Sequence, residues 1–328
     1  MFAFPDAGRL RSYTPLPPSI SPFAPMLCRP ALRRAVRRLS TAAPTPVHNV
    51  RCVISAAERD AGTLTEPSIR AAIGSLQQNG VVVLEDAIDT AWIARAHQHA
   101  GTAFERCMSR PYPGGELAVG KEHGYAEVVQ RAAGRYDMLD GINGEPVFVD
   151  GAALLSPIVE RLLGSDVHML FNGLLMTTSP SAEQLWHADG EHLFSGTHPT
   201  AGGLAAGGTW VASSALPVHC INVFVPLVDL TLDNGVTEFC VGTHDATGLS
   251  PEIVWQKDSW RAEIGHTAEP VATTCTAGAV IIFDYRILHR GSACREGQRR
   301  RPVLYYTFAR RWFSDNLNFP RRSAPLLD

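Results

Sequence analysis

No stretch of this 328-residue chain is apolar for long. Runs such as Val81–Leu84 and Ala279–Phe283 are soon interrupted. A membrane-spanning helix needs about 18 apolar residues or more, so no membrane span is expected. Cys-x-x-Cys pairs are also absent. The seven cysteines (28, 52, 107, 220, 240, 275, 294) are odd in number and widely spaced. That usage argues against a zinc–thiolate site or a disulfide framework, and fits a reducing compartment. A basic body is missing as well. Residues 1–50 hold seven arginines and one acid, a sum of +6, so a net charge of −3 leaves −9 for the rest. An acidic body argues against nucleic acid as the partner, since binding phosphates needs a basic face. There is no internal repeat. What remains, 45% hydrophobic and 19% charged residues, is ordinary globular composition, and the length allows one or two domains.

The first 48 residues read as a segment apart from a domain over 49–328. Nine prolines in the first fifty residues prevent a packed helix or a central strand there. One piece differs. In PALRRAVRRLS (30–40), Arg33, Arg34, Arg37 and Arg38 share one helical face and Leu32, Val36 and Leu39 another. Pro30 suits the first helical turn. A basic, acid-poor amphipathic helix followed by STAAPTP resembles an organellar transit peptide, which implies a mitochondrion or another organelle. The alternative is a basic tail on a cytoplasmic protein.

Beyond residue 49 the sequence changes character once. Residues 65–79 have helical spacing of Ile69, Ile73 and Leu76, with Thr65 as cap and Gly80 as stop. Residues 81–88 are β-branched and apolar, a strand. Residues 90–107 form a second helix, 108–150 look irregular, and 154–163 form a short helix ended by Gly164. After that come short strand-like runs: 166–176, 182–188, 219–229, 236–241, 270–274, 278–288 and 302–310. Helices first and strands afterwards is an α+β order with a mostly β core, a sandwich or barrel. The glycine-rich segment 190–217 interrupts it as a long loop, the kind that serves as a lid or binding loop.

The sharpest local signal is LWHADGEHLF (185–194). On a strand, His187 and Asp189 point to the same face. They supply two of the three ligands of a 2-His-1-carboxylate set, which suits Fe(II) because it leaves positions free. His289, at the end of the apolar run AVIIFDYRILHRG (279–291), offers the third. A lone His-x-Asp is more often a satisfied or exposed pair than a metal site, so the downstream features decide. RRRPVLYYTFARRWF (299–313) opens with three arginines. Arg299 and Arg300 read as solvent-facing. Arg301 shares a strand face with Val303, Tyr305 and Thr307. No acid lies between Gln298 and Ser314 to pair with it, whereas a dicarboxylate ligand meets a guanidinium with a bidentate fork.

These residues resemble the phytanoyl-CoA dioxygenase-like family of Fe(II)/2-oxoglutarate oxygenases. The likeness covers about residues 65–328 and rests on QLWHADGEHLF, on NVFVPLVDL and DNGVTEFCVGTH within 222–244, and on FDYRILHRG with RRRPVLYYTFARRWF within 283–313. It implies a double-stranded β-helix, or jelly roll, with flanking N-terminal helices. It implies His187, Asp189 and His289 as iron ligands and Arg301 as anchor of the 2-oxoglutarate C5 carboxylate. Gln184 and Thr237 match positions near that co-substrate. The implied activity is a dioxygenase that uses O2 to hydroxylate an unactivated C–H of a small organic molecule. Asp189 stands where related halogenases carry a small residue. Two departures stand out. The turn Val241-Gly242-Thr243-His244 lacks the usual proline, and a loose span from His289 leaves Arg300 as rival to Arg301.

Two other classes compete. One is a cupin-like metalloprotein with the same triad and no 2-oxoglutarate. The other is a jelly-roll binding module without chemistry. A carboxylate anchor at residue 301 argues against both. Other residues read as bystanders: His192, His198 and His266 in loops, His219 before a strand, His244 closing a turn, and Trp210, Trp255 and Trp260 near the mouth.

Overall fold

The computed structural model describes residues 49–139, 153–190, 217–245, 270–315 and 318. The PALRRAVRRLS segment lies outside them, as do most of the 190–217 segment and His192, His198, Trp210, Trp255, Trp260 and His266.

Four α-helices occur among the described residues: α1 (Ala56–Ala61), α2 (Glu66–Asn79), α3 (Thr90–Met108) and α4 (Ser156–Leu163). Strands β1 (Arg51–Val53), β2 (Val81–Glu85), β3 (Val129–Ala132), β4 (Arg135–Leu139), β5 (Val167–Thr177), β6 (Cys220–Pro226), β9 (Val280–Asp284) and β11 (Arg301–Arg310) form a sheet of order β1-β2-β9-β6-β11-β5-β4-β3. A second sheet has the order β10-β7-β8, from β7 (Thr237–Phe239), β8 (Val271–Ala272) and β10 (His289–Gly291). All pairings are antiparallel except β1 with β2. None of the described helices is long and apolar enough to cross a membrane.

The central strands are apolar at every position because both their faces are covered. On β2 and β9, Val81, Val83, Ile281 and Phe283 face the small sheet and pack with Val236, Phe239 and Val241. The Phe239 and Phe283 rings meet at 5.0 Å. The alternate residues Val82, Leu84, Val280 and Ile282 face outward, onto Ile69, Ala72 and Leu76 of α2 and Trp92, Ile93 and Ala96 of α3. Two sheets enclosing one apolar interior, with helices on the outer face, is the arrangement the sequence led us to expect.

Local signals explain most boundaries. Asp89 caps α3 by accepting from the Trp92 N–H at 2.9 Å, and Gly80 ends α2 at a φ of 77°. Four expectations need correction. Thr65 precedes α2 without capping it; its hydroxyl donates instead to Glu58 Oε1 at 2.7 Å. Residues 108–150 are not irregular throughout, since β3 and β4 extend the large sheet. The pair β1 and α1 was not foreseen, being too short to show a period. Residues 182–188 form no continuous strand: the segment pairs with 285–294 through an isolated bridge at His187 and scattered hydrogen bonds.

His219 sits in the outer layer of this core, 1% exposed. Its ring lies 4.7 Å from Phe313 and 5.8 Å from Trp312. Neither ring nitrogen has a hydrogen-bond partner among the described residues. Burial first, and then Arg286, depress its pKa from an ordinary 6.5 to about 4. Between those values the unfolded chain takes up a proton that the folded chain refuses. Stability is therefore full above the unfolded value and falls as pH drops toward the folded one, by up to about 3 kcal/mol. His219→Phe should remove that loss. Its melting temperature should drop several degrees less than wild type between about pH 7.5 and 5; equal drops would contradict the assignment.

Candidate metal centre

Segment 181–190 runs antiparallel past 285–294. Ser181 and Cys294 exchange both backbone hydrogen bonds at 3.0 Å, and Gln184 N–H donates to Gly291 O at 2.9 Å. His187 and His289 also exchange both bonds, at 3.0 and 2.8 Å. That reciprocal bridge, rather than a regular strand, sets the two histidines opposite one another, with ring centroids 4.5 Å apart. Each Nδ1 lies against the carbonyl two residues earlier: Leu185 O at 2.8 Å and Ile287 O at 3.0 Å. A carbonyl only accepts, so each Nδ1 carries a proton, and in the neutral ring it is Nε2 that offers the lone pair. The two Nε2 atoms lie 4.0 and 3.5 Å from the Asp189 carboxylate. One ligand atom from each of the three residues falls within 4.8 Å of the others. Burial and the neighbouring imidazole push the His187 pKa down to about 4, so the ring is neutral near pH 7. Two imidazoles and a carboxylate in one cluster fit a divalent iron ion, whose remaining positions stay open to other ligands.

Asp189 is held from behind. Asn222 on β6 donates to Oδ2 at 2.6 Å, and Thr307 on β11 donates to Asn222 Oδ1 at 2.6 Å. The Asn318 side chain donates to the Asp189 carbonyl at 2.6 Å. Support of this kind, when removed, costs about 10–100-fold in metal affinity. Asn222→Ala should weaken Fe(II) binding by that factor in an anaerobic titration, and unchanged affinity would show that the bond is incidental.

The expected co-substrate residues lie toward β11. Arg299 and Arg300 are exposed, and Arg300 pairs with Glu105 on α3. Arg301 is 6% exposed and turns inward. Its guanidinium donates to Gly235 O and to Thr177 Oγ1, both at 2.9 Å, while Nε has no partner. No acidic group among the described residues pairs with it. Burial and the nearby Arg135 draw its pKa down to about 10. A buried cation without a counter-ion is costly, and an orphaned donor beside it is a place for an anion. Gln184 Oε1 accepts from Gly291 N–H at 2.9 Å. Thr237 stands directly opposite Gly291 in the β7–β10 register. Both therefore lie beside the strand that carries His289.

Several residues at the site had no sequence signal. Arg135 sits in the stretch read as irregular. Arg131 donates to Asp137 Oδ2 at 2.6 Å and Tyr305 donates to Asp137 Oδ1 at 2.9 Å, a buried polar group beside the triad. Tyr285 donates to Asp315 at 2.5 Å. Asn222, Tyr285 and Tyr305 lay within motifs the sequence singled out, but nothing there pointed to these contacts.

The phytanoyl-CoA dioxygenase (PhyH) family model matches residues 76–302. Among solved structures, EctD from S. alaskensis with 2-oxoglutarate and 5-hydroxyectoine is 18% identical, with a TM-score of 0.54 over 75% of this chain and 76% of that one. SnoN, a non-heme alpha-ketoglutarate-dependent epimerase from nogalamycin biosynthesis, is 17% identical, with a TM-score of 0.53 over 80% and 95%. HygX from Streptomyces hygroscopicus, with nickel, 2-oxoglutarate and hygromycin B bound, is 16% identical, with a TM-score of 0.51 over 81% and 97%. At these identities the likeness shows the fold, the jelly roll of this enzyme group.

Proposed function

Because the chain belongs to the phytanoyl-CoA dioxygenase family, an Fe(II)/2-oxoglutarate oxygenase group, we propose that it hydroxylates an unactivated C–H bond of a small organic molecule. The observation that carries this reading is the pairing of two features in one interior: the His187–Asp189–His289 cluster and the buried, acid-free Arg301. A cupin-like metalloprotein without 2-oxoglutarate has no use for the second feature, nor has a jelly-roll module without chemistry.

In this reading His187, Asp189 and His289 would hold the iron. The Nδ1–H bonds to Leu185 O and Ile287 O fix both rings in the tautomer that coordinates through Nε2. Asn222 pins one carboxylate oxygen of Asp189 and leaves the other to the metal. Arg301 grips the far carboxylate of 2-oxoglutarate, with Gln184 and Thr237 beside it. Iron and 2-oxoglutarate, when bound, supply the activation of O2, with succinate and CO2 as co-products. Phe239 and Phe283 pack at 5.8 and 5.0 Å from the His289 ring and keep water from that side. The carboxylate at residue 189, standing where related halogenases carry a small residue, supports hydroxylation over halogenation. Fold does not choose the substrate. A succinate-release screen against a metabolite library tests the reading without a prior guess. A hit should yield product heavier by one oxygen atom. Succinate release with every product unoxygenated would contradict hydroxylation.

A further inference from the structure

Beyond β11 the chain turns back toward the metal cluster. Phe313 N–H donates to Arg310 O at 2.9 Å, and the Phe313 ring packs 6.1 Å from Tyr285 and 4.7 Å from His219. This turn brings Asp315 and Asn318 to Tyr285, in the connection between β9 and β10. The Tyr285 hydroxyl donates to Asp315 Oδ2 at 2.5 Å, and the Asn318 backbone N–H donates to Asp315 Oδ1 at 3.0 Å. The Asn318 amide then donates at three points: to Asp189 O at 2.6 Å, to Asp315 Oδ2 at 2.8 Å and to the Tyr285 hydroxyl at 3.1 Å. A carbonyl and a carboxylate can only accept, so the amide must present its nitrogen to them and not its oxygen. On its other side, Asn318 O accepts from Arg131 Nη2 on β3 at 3.4 Å. One residue thus joins the metal-ligand segment, the β9–β10 connection and the edge strand of the large sheet.

The ligand segment is shaped to receive this tail. Gly190, next to Asp189, donates its N–H to Tyr285 O at 3.0 Å, and a Cβ there would run into the Tyr285 ring. Tyr285 is 2% exposed, and a phenol buried that deeply needs partners for its hydroxyl; Asp315 and Asn318 supply them. Around Asp189 no continuous strand holds the main chain, since the bridge to β10 is confined to His187. Asn222 orients the Asp189 carboxylate, whereas Asn318 holds the peptide from which that side chain projects. Asp315 and Asn318 lie beyond residue 302, where the family match ends, so membership of the family does not account for them.

We propose that Asn318 is a positioning residue of the metal centre: the tail that carries it clasps the Asp189 main chain against Tyr285, so that bound iron leaves slowly. This rests on the metal reading above. The test is release of Fe(II) from the loaded full chain to an excess of chelator, without oxygen, beside the melting temperature of the metal-free chain. Asn318→Ala should speed release about tenfold, the size of effect expected when a ligand loses its outer support, while the metal-free chain melts close to wild type. Tyr285→Phe keeps the ring against Gly190 and Phe313 and removes only the hydroxyl; it should speed release severalfold. Because that hydroxyl acts through Asn318, the double variant should release iron no faster than Asn318→Ala alone. Rates that multiply would show two independent supports and overturn the clasp. A residue that merely fastened the tail would lower the melting temperature in Asn318→Ala without changing release, and that result too would overturn the proposal. If Asn318→Ala does not fold, Tyr285→Phe decides, and a wild-type release rate there counts against the clasp. Asp189→Ala separates the two readings. If it takes up no iron while Asn318→Ala releases iron at the wild-type rate, this inference fails alone; if it holds iron as wild type does, the metal reading fails with it.

Discussion

Replacing Asp189 with alanine should abolish Fe(II) binding at micromolar metal and, with it, all 2-oxoglutarate turnover, including the turnover that occurs without substrate. The carboxylate is the only anionic member of the cluster at His187, Asp189 and His289. Without it only two imidazoles remain. The iron charge then lacks compensation in a half-buried site where charge is poorly solvated. The variant also strands the Asn222 amide, which donates to Oδ2 at 2.6 Å. His187→Ala should have the same effect for a different reason. It removes a ligand whose tautomer is fixed by Leu185 O and whose position is fixed by the backbone bridge to His289, which survives the substitution. The measurement is succinate formation together with an anaerobic iron titration. Full turnover in either variant would show that iron is held elsewhere.

Arg301→Met should raise the KM for 2-oxoglutarate by about 100-fold with a smaller change in kcat. A bidentate, charge-assisted pair with a carboxylate contributes roughly 3 kcal/mol once desolvated, and each 1.4 kcal/mol is tenfold. Stability should respond differently. Arg301 is buried with no counter-ion among the described residues, so an apolar replacement of similar length relieves desolvation while giving up two hydrogen bonds. The ligand-free variant should melt close to wild type but gain far less from added 2-oxoglutarate. Arg300→Met should leave KM unchanged, because that residue pairs with Glu105 at the surface. The reverse outcome would move the anchor to Arg300.

The sequence foretold the centre of the fold better than its edges, and the metal cluster better than its supports. Strands β2 and β9 were legible because both faces are covered, so Val81–Leu84 and Ala279–Phe283 are apolar without a break. Strands β3 and β4 were not, since they are only four and five residues long and carry the polar residues Gln130, Arg131, Arg135 and Asp137. Arg135 and Asp137 are nonetheless buried and face the interior. The two triad residues His187 and Asp189 were visible as a short motif, but their geometry comes from a lone bridge to His289 that no local propensity encodes. Asn222 and Thr307 join Asp189 across two strands separated by 85 residues, a relation that spacing cannot reveal. Arg301 could be singled out because a charge opening an apolar strand demands a partner. Arg135 opens so short a strand that the same demand went unseen.

An absorption spectrum of the full chain, taken without oxygen after adding Fe(II) and then 2-oxoglutarate, tests the account most directly. Binding of the keto acid to iron held by His187, Asp189 and His289 should bring up a visible charge-transfer band that is absent with either addition alone and lost in Asp189→Ala. A spectrum that stays featureless with both present, in protein shown to hold one iron per chain, would contradict it.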